Sequence, residues 1–130
     1  MRRIMAMAGM CLFLILTACS GSSAPSSASI TLGVGQFTGS TTVSIQVGGT
    51  IKFDDASGGS HNLVTGSTGL FAAEQGAPSD FVATGIPFNG GDVKTITFST
   101  AGVYHITCTL HPSMQATITV TAVSQGGNGY

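Results

Sequence analysis

The sequence predicts an all-β protein, folded as an antiparallel Greek-key sandwich of two sheets or as a barrel. Three observations lead to this fold class. Several short stretches alternate apolar and polar residues with a period of two, which is typical of half-buried strands. Glycine is frequent, with 19 residues, and the many serine and threonine residues suit strands joined by tight turns. Only 7% of the residues are charged, which disfavours long amphipathic helices and an open, disordered chain.

Seven segments carry the strand pattern. They are residues 30–35, 43–47, 50–53, 61–65, 95–98, 103–108 and 116–123. Gly48-Gly49 offers a tight turn into the third segment, and Ala101-Gly102 marks another turn. Residues 66–92 carry the weakest pattern, which is compatible with a short helical turn around residues 72–75 or with loops alone.

The first 19 residues are typical of an export signal. Arg2 and Arg3 give it a positive start, and residues 10–16 form an apolar stretch that is short for a bilayer span. The segment ends in Leu-Thr-Ala-Cys19, which resembles the lipobox of bacterial lipoproteins, whose cysteine is acylated and becomes the new N-terminus. An ordinary cleaved signal, or an uncleaved anchor, is the alternative.

We therefore expect four segments along the chain. They are a lipoprotein signal at residues 1–19, a Ser-rich flexible tether at 20–29, one folded domain at 30–123 and a disordered tail at 124–130. Outside the signal, two lysines stand against five acidic side chains, so no basic stripe favours nucleic acid as a partner. Two of the acids, Asp54 and Asp55, are expected to be solvated, with an acidic docking patch as the alternative.

The cysteines and methionines are distributed unevenly. Cys11 and Cys19 belong to the signal, which leaves Cys108 without a partner for an intramolecular disulfide if Cys19 is acylated. A lone thiol in an oxidising compartment is a liability unless it is buried or bound. The first four methionines also lie in the signal, so Met114 is the only methionine of the folded domain.

Cys108, His111 and Met114 form a C-x2-H-x2-M motif on a loop between two predicted strands. Such a loop turns back over the strand end, so the three side chains can converge. One thiolate, two imidazoles and a weak thioether are the donor set of a blue-copper site. His105 shares the strand of Cys108 but points to the opposite face, so His61 is the better second imidazole. A buried structural thiol and a satisfied strand-end histidine are the alternatives.

The motif and its surroundings resemble the cupredoxins. Residues 102–120 resemble the copper loop and flanking strands of plastocyanin-like members, and the short loop is similar to that of amicyanin and pseudoazurin. Residues 60–64 resemble the segment that supplies the first ligand of that family, and residues 47–53 the hairpin before it. The resemblance covers residues 30–123, almost the whole predicted domain.

The resemblance implies a complete set of site residues. His61, Cys108 and His111 would bind one copper ion near a plane, with Met114 as the axial ligand. Asn62 would tie the two ligand loops together, with its N–H near the Cys108 sulfur and its side chain near Thr109. Tyr104 and Ile106 would face the core. Electrons would pass through the exposed edge of His111. Leu110, Pro112 and Ser113 would surround this exit.

Three positions depart from the family pattern. Leu110 replaces a proline, so its N–H could donate a second hydrogen bond to Cys108 and raise the reduction potential. Thr107 stands where plastocyanin has an exposed tyrosine that contacts partners, so that electron route is not transferred to this chain. Ala116 replaces a glycine and could shift the backbone of Met114 slightly.

The expected function is outer-sphere transfer of single electrons, without catalysis. We expect a monomer, anchored by lipid outside the cytoplasm of a bacterium, that meets transient partners such as cytochromes or membrane oxidoreductases. The alternative is a copper-binding module for storage, delivery or sensing, with the same fold and ligands. An adhesive β-sandwich with an empty site is a third possibility. No Ser-His-Asp or Cys-His-acid constellation is expected, because the acids lie far from the histidines in sequence.

Overall fold

The computed structural model describes residues 23–124, and every regular element in this range is a strand. Ten strands follow in chain order: β1 (Ser27–Gly33), β2 (Gln36–Thr38), β3 (Thr42–Gln46), β4 (Gly49–Asp55), β5 (His61–Ser67), β6 (Leu70–Phe71), β7 (Ile86–Phe88), β8 (Val93–Phe98), β9 (Gly102–Cys108) and β10 (Gln115–Thr121). The predicted signal with Cys19, and nearly all of the predicted tail, lie outside the described residues. Over the described range, no helix is present that could cross a membrane.

The strands form two sheets, which confirms the predicted all-β sandwich. One sheet has the order β2-β1-β4-β8, and the other has the order β3-β10-β9-β5-β6 with β7 also paired to β5. Most neighbouring strands pair antiparallel, as predicted, but β1 pairs parallel to β4 and β3 pairs parallel to β10. The chain changes sheets between β2 and β3 and again between β3 and β4. These crossings bring strands of equal direction side by side.

The core lies between the two sheets and follows the period-two pattern of the strands. Ile51 and Phe53 of β4 face Tyr104 and Ile106 of β9 across it as members of one buried cluster, which confirms the expected inward direction of the last two. Phe98 bridges towards Tyr104, with ring centroids 5.4 Å apart. Burial of these side chains supplies the main driving force for folding.

Several strand boundaries differ from those predicted. β1 begins at Ser27, so the strand includes the last three residues of the predicted tether. Gly49 is the first residue of β4 rather than part of the turn, and β10 ends at Thr121. The segment between β5 and β8 contains turns and the short strands β6 and β7, so the loop alternative is correct and the helical turn is not formed. Strands of two or three residues are too short to show periodicity.

This connecting segment covers the outer face of β9. The N–H of Gly69 donates to the Thr107 hydroxyl, and the Glu74 carboxylate accepts from the backbone N–H and ring Nδ1 of His105 at 2.8 Å each. Thr107 is therefore fully buried, and it cannot offer the exposed contact that a tyrosine makes at this position in plastocyanin. His105 is an exposed surface residue, as predicted, with Glu74 as its partner.

Tyr104 connects the core to the same segment. Its hydroxyl lies 2.7 Å from the Thr100 carbonyl and 3.1 Å from the Gly76 carbonyl. Burial, with a smaller contribution from the charge of Glu74, raises the pKa of Tyr104 above its usual value. The folded protein therefore keeps the phenolic proton at a pH where the unfolded chain releases it.

This shift predicts a pH dependence of stability. The stabilisation from Tyr104 is fully present below about pH 10 and is lost as the pH rises through the folded pKa. We expect the free energy of unfolding, from urea denaturation between about pH 9 and 11, to fall more steeply for wild type than for Tyr104→Phe. Tyr130→Phe, which removes the only other tyrosine, should follow wild type. Equal slopes for wild type and Tyr104→Phe would contradict the assignment.

Candidate metal centre

Three ligand-type side chains meet at one end of the sandwich. His61 is the first residue of β5, Cys108 is the last residue of β9, and His111 lies in the loop between β9 and β10. The two strands are neighbours, with Leu63 opposite Cys108, so their paired ends bring His61 to the cysteine. The structure thus brings together the three residues that the sequence predicted as equatorial ligands.

The distances between the three donor atoms suit one metal ion. Cys108 Sγ lies 3.9 Å from His61 Nδ1 and 3.7 Å from His111 Nδ1, and ligand atoms of all three residues lie within 4.8 Å of one another. Bonds of about 2.1 Å to nitrogen and 2.3 Å to sulfur, as in protein zinc sites, separate two donors by about 3.8 Å at a trigonal ion. A thiolate with two imidazoles also matches the donor chemistry of a blue-copper site.

Burial favours the metal-binding form of the first histidine. His61 is almost completely buried, and this burial lowers its pKa, although Asp55 opposes the effect and His111 adds to it. A neutral imidazole is the form that binds a metal. Cys108 is fully buried and is the only cysteine among the described residues.

The loop that carries His111 is closed by backbone hydrogen bonds. The N–H of Met114 donates to the carbonyl of His111 at 2.9 Å, and the N–H of Cys108 donates to the carbonyl of Met114 at 3.3 Å. The Met114 side chain is buried in the core. These two bonds hold the backbone of Met114, the predicted axial ligand, next to Cys108 and His111.

Asn62 joins the two segments that carry ligands. Its N–H points at Cys108 Sγ at 3.5 Å, and its carbonyl accepts from the N–H of Thr109 at 2.9 Å. Its side-chain amide donates to Thr109 Oγ1 at 3.1 Å and to the Thr84 carbonyl at 3.0 Å. Both contacts that the family resemblance implied for Asn62 are present, and the contact to Thr84 adds a third segment to the clamp.

The second hydrogen bond proposed for the sulfur is not formed. Within the described chain, Asn62 supplies the only backbone N–H that donates to Cys108 Sγ, and the N–H of Leu110 does not. Leu110, which replaces the family's proline, therefore does not raise the reduction potential through a hydrogen bond to the sulfur. The Leu110 side chain is instead exposed at the surface.

The structure adds Asp55 and Ser57 to the site, two residues that were not predicted to belong to it. Ser57 Oγ lies 2.9 Å from His61 Nε2 and 2.6 Å from Asp55 Oδ1, so an acid does reach a histidine, contrary to the expectation from sequence distance. Asp55 is buried rather than solvated. A signal was present in the sequence, because Ile51, Phe53 and Asp55 share one face of a strand.

The three groups are hydrogen-bonded in a different order from those of a Ser-His-Asp triad. Here the serine hydroxyl lies between the carboxylate and the imidazole, and the other ring nitrogen of His61 faces Cys108. A triad places the imidazole between the acid and the serine. The arrangement therefore supports a ligand histidine and not a nucleophilic serine.

The packing of Gly85 against Asn62 predicts a test of the clamp. Gly85 has a φ of +77°, and a Cβ there would lie 2.4 Å from the Asn62 amide, whereas Gly39 has a φ of +78° with open space around it. Both Gly→Ala changes add backbone strain, but only Gly85→Ala must also displace Asn62. We expect Gly85→Ala to lower the free energy of unfolding by about 1–3 kcal/mol more than Gly39→Ala, measured by urea denaturation. Equal losses would exclude the clamp as a source of stability.

Comparisons with known proteins agree with this site. A family model described as copper binding proteins of the plastocyanin/azurin family matches residues 29–121. A search of curated protein sequences gives no match. Among solved structures, a reduced amicyanin variant aligns with a TM-score of 0.55 and 17% identity over 73% of this chain and 82% of that chain. A Cu(I) form of another amicyanin variant aligns with a TM-score of 0.56 and 18% identity, again over 73% and 82%.

The structural likeness to amicyanin establishes the fold, and the family model covers most of the chain. The His61-Cys108-His111 cluster lies within the matched range and offers donors suited to one copper ion. The chain therefore belongs to the plastocyanin/azurin family of copper-binding proteins, the cupredoxins, with copper as its cofactor.

Proposed function

We propose that the protein is a blue-copper carrier of single electrons between membrane-associated redox partners outside the cytoplasm. The observation that carries the proposal is the convergence of His61, Cys108 and His111 on one point at the end of a packed sandwich. Met114 would complete the donor set with its thioether sulfur. Bound copper would supply a one-electron Cu(I)/Cu(II) couple at this point.

The chain holds its donors in a fixed arrangement. His61 and Cys108 lie on paired strand ends, and Asn62 and the backbone of Met114 restrain the loop between β9 and β10, which carries His111. Such restraint limits rearrangement of the donors between oxidation states, which favours fast transfer. Cys108, His61 and Met114 are each at most 2% exposed, so the protein excludes water from most of the site.

The exit for electrons is the loop side of the site. His111 is only partly buried, and Leu110, Pro112 and Ser113 around it are exposed. Gly35 and Gly69 border this loop, because a Cβ added to Gly35 would lie 3.9 Å from the His111 ring and one added to Gly69 would lie 2.9 Å from Pro112. The neighbours of these two glycines extend the apolar surface, because Val34 is 84% exposed and Leu70 is 71% exposed.

An apolar surface of this kind suits a brief encounter. None of the residues around His111 just named carries a charge, so docking would rest on a small apolar contact that releases quickly. Cytochromes and membrane oxidoreductases are the class of partner proposed, with the carrier acting as a monomer and not as an enzyme. A lipid on Cys19, with the residues that follow it as the proposed tether, would keep the domain near such complexes.

Copper storage, delivery or sensing is the rival function, because it would use the same donors. The nearly complete burial of three of the four proposed ligands supports the carrier, since a delivery site benefits from an exposed, exchangeable position. Fast electron self-exchange would favour the carrier. Rapid transfer of copper to a chelating acceptor would favour the rival.

The thiolate site predicts a characteristic spectrum. On addition of Cu(II), the full chain in detergent should develop an intense thiolate-to-copper charge-transfer band, measured by visible and electron paramagnetic resonance spectroscopy. Cys108→Ser should abolish the band because the donor thiolate is lost, while Ser113→Ala on the same loop should retain it. A pale spectrum that is indifferent to Cys108 would rule out the blue-copper proposal.

The exit surface predicts a selective loss of electron transfer. We expect Leu110→Glu to slow electron self-exchange by about tenfold or more, because a desolvated charge opposes apolar docking. Val103→Glu is the matched control, since Val103 is 53% exposed, similar to Leu110 at 57%, but lies on β9 away from the loop. The rate is measured by NMR line broadening in mixtures of reduced and oxidised protein at high salt. The same slowing in both variants would argue against this exit.

A further inference from the structure

Two neighbouring acids at the end of β4 have opposite environments. Asp54 is partly exposed and forms an ion pair with Lys52 at 3.3 Å. Asp55 is 1% exposed, and its backbone is held by the N–H of Gly91 and the carbonyl of Asp92. Buried acids are rare unless paired, since loss of hydration opposes the charged form. The position of Asp55 therefore requires an explanation.

The carboxylate of Asp55 is connected to the metal centre through one hydroxyl. Asp55 Oδ1 accepts from the Ser57 N–H at 2.9 Å and from the Ser57 hydroxyl at 2.6 Å. Ser57 Oγ in turn lies 2.9 Å from His61 Nε2 and 2.9 Å from the N–H of Gly59. Asp55 Oδ1 itself is 3.8 Å from His61 Nε2, so the hydroxyl provides the bonded route.

The protons available to the hydrogen-bonded series Asp55–Ser57–His61 determine which tautomer the neutral imidazole adopts. A carboxylate only accepts, so the single Ser57 hydroxyl proton goes to Asp55. The oxygen of Ser57 is then an acceptor, and His61 Nε2 must donate to it. The neutral ring therefore has no proton on Nδ1, the atom that faces Cys108 Sγ. This tautomer is the one that a metal ligand at Nδ1 requires.

The second oxygen of Asp55 strengthens the case for a functional role. Asp55 Oδ2 is buried and has no hydrogen-bond partner among the described residues. An unpaired buried atom costs stability, so it requires an explanation, which a functional role of Asp55 would supply. A negative charge held there is poorly screened by water and acts on the nearby site.

We propose that Asp55 and Ser57 are positioning residues for His61, and that the buried Asp55 carboxylate lowers the reduction potential of the bound copper. The inference rests on the proposed ligand role of His61. Ser57 fixes the tautomer and the direction of the ring. The negative charge of Asp55 stabilises the more positive oxidised site over the reduced one, so removal of the charge raises the potential.

The orientation is tested by NMR of the histidine rings in the full chain, in its metal-free and Cu(I) forms. Wild type should show His61 with its proton on Nε2, exchanging slowly with water. Ser57→Ala should speed that exchange and mix the tautomers in the metal-free form, whereas Ser57→Thr keeps the hydroxyl and should match wild type. A proton on Nδ1 in the metal-free form, or no response to Ser57→Ala, would overturn the assignment.

The redox effect is tested by titration of the copper-loaded chain. We expect Asp55→Asn to raise the Cu(I) to Cu(II) ratio at fixed solution potential about tenfold, equivalent to about 59 mV for one electron. Asp54→Asn removes the same charge one residue away, at a more solvated position, and should change the ratio by less than about twofold. Equal shifts in the two variants would refute the proposal.

Two further outcomes separate the possible failures. If Asp55→Asn does not fold, Asp55→Ser decides, because it removes the same negative charge with a smaller side chain and should also raise the potential. If wild type forms no thiolate-copper spectrum, the carrier proposal fails and the redox effect fails with it. The metal-free NMR comparison then still decides whether Asp55 and Ser57 orient His61.

Discussion

The pairing of β5 with β9 is the constraint on which the metal centre depends. Leu63 lies opposite Cys108, so the first residue of one strand and the last residue of the other reach the same edge of the sheet. Asn62 strengthens this edge, because its backbone bonds to both Cys108 and Thr109 and its side chain reaches Thr84. A one-residue slip of β5 would turn His61 to the other face of the sheet. The sandwich core therefore stabilises the register, and the register positions the donors.

Site residues that are close together in the sequence were easier to predict than those that are far apart. Cys108, His111 and Met114 lie within one loop, so their spacing alone indicated convergence. His61 is 47 residues from Cys108, and only the opposite directions of His105 and Cys108, together with the family resemblance, selected it. The strands of five or more residues were predicted from their period of two. The short strands β2, β6 and β7 were missed because two or three residues cannot show a period.

The parallel strand pairs and the covered face of β9 depend on contacts that no local pattern encodes. A period of two predicts which side of a strand is buried but does not identify its neighbours. Thr107 is polar and points away from the core, yet it is fully buried because Gly69 packs over it. Of His61, Cys108 and His111, only His111 is more than slightly exposed.

The alternation of side chains along β4 explains why the charged residue Asp55 is buried. Ile51, Phe53 and Asp55 alternate along β4 and are all buried, while Lys52 is exposed. The alternation that builds the core therefore carries the carboxylate inward at the strand end, next to the ligand histidine. Asp54, one residue earlier, is directed outward by the same geometry. One period thus produces both a partly solvated acid and a buried acid, and only the buried acid can act on the metal centre through Ser57. This physical difference makes the two neighbouring aspartates a matched pair.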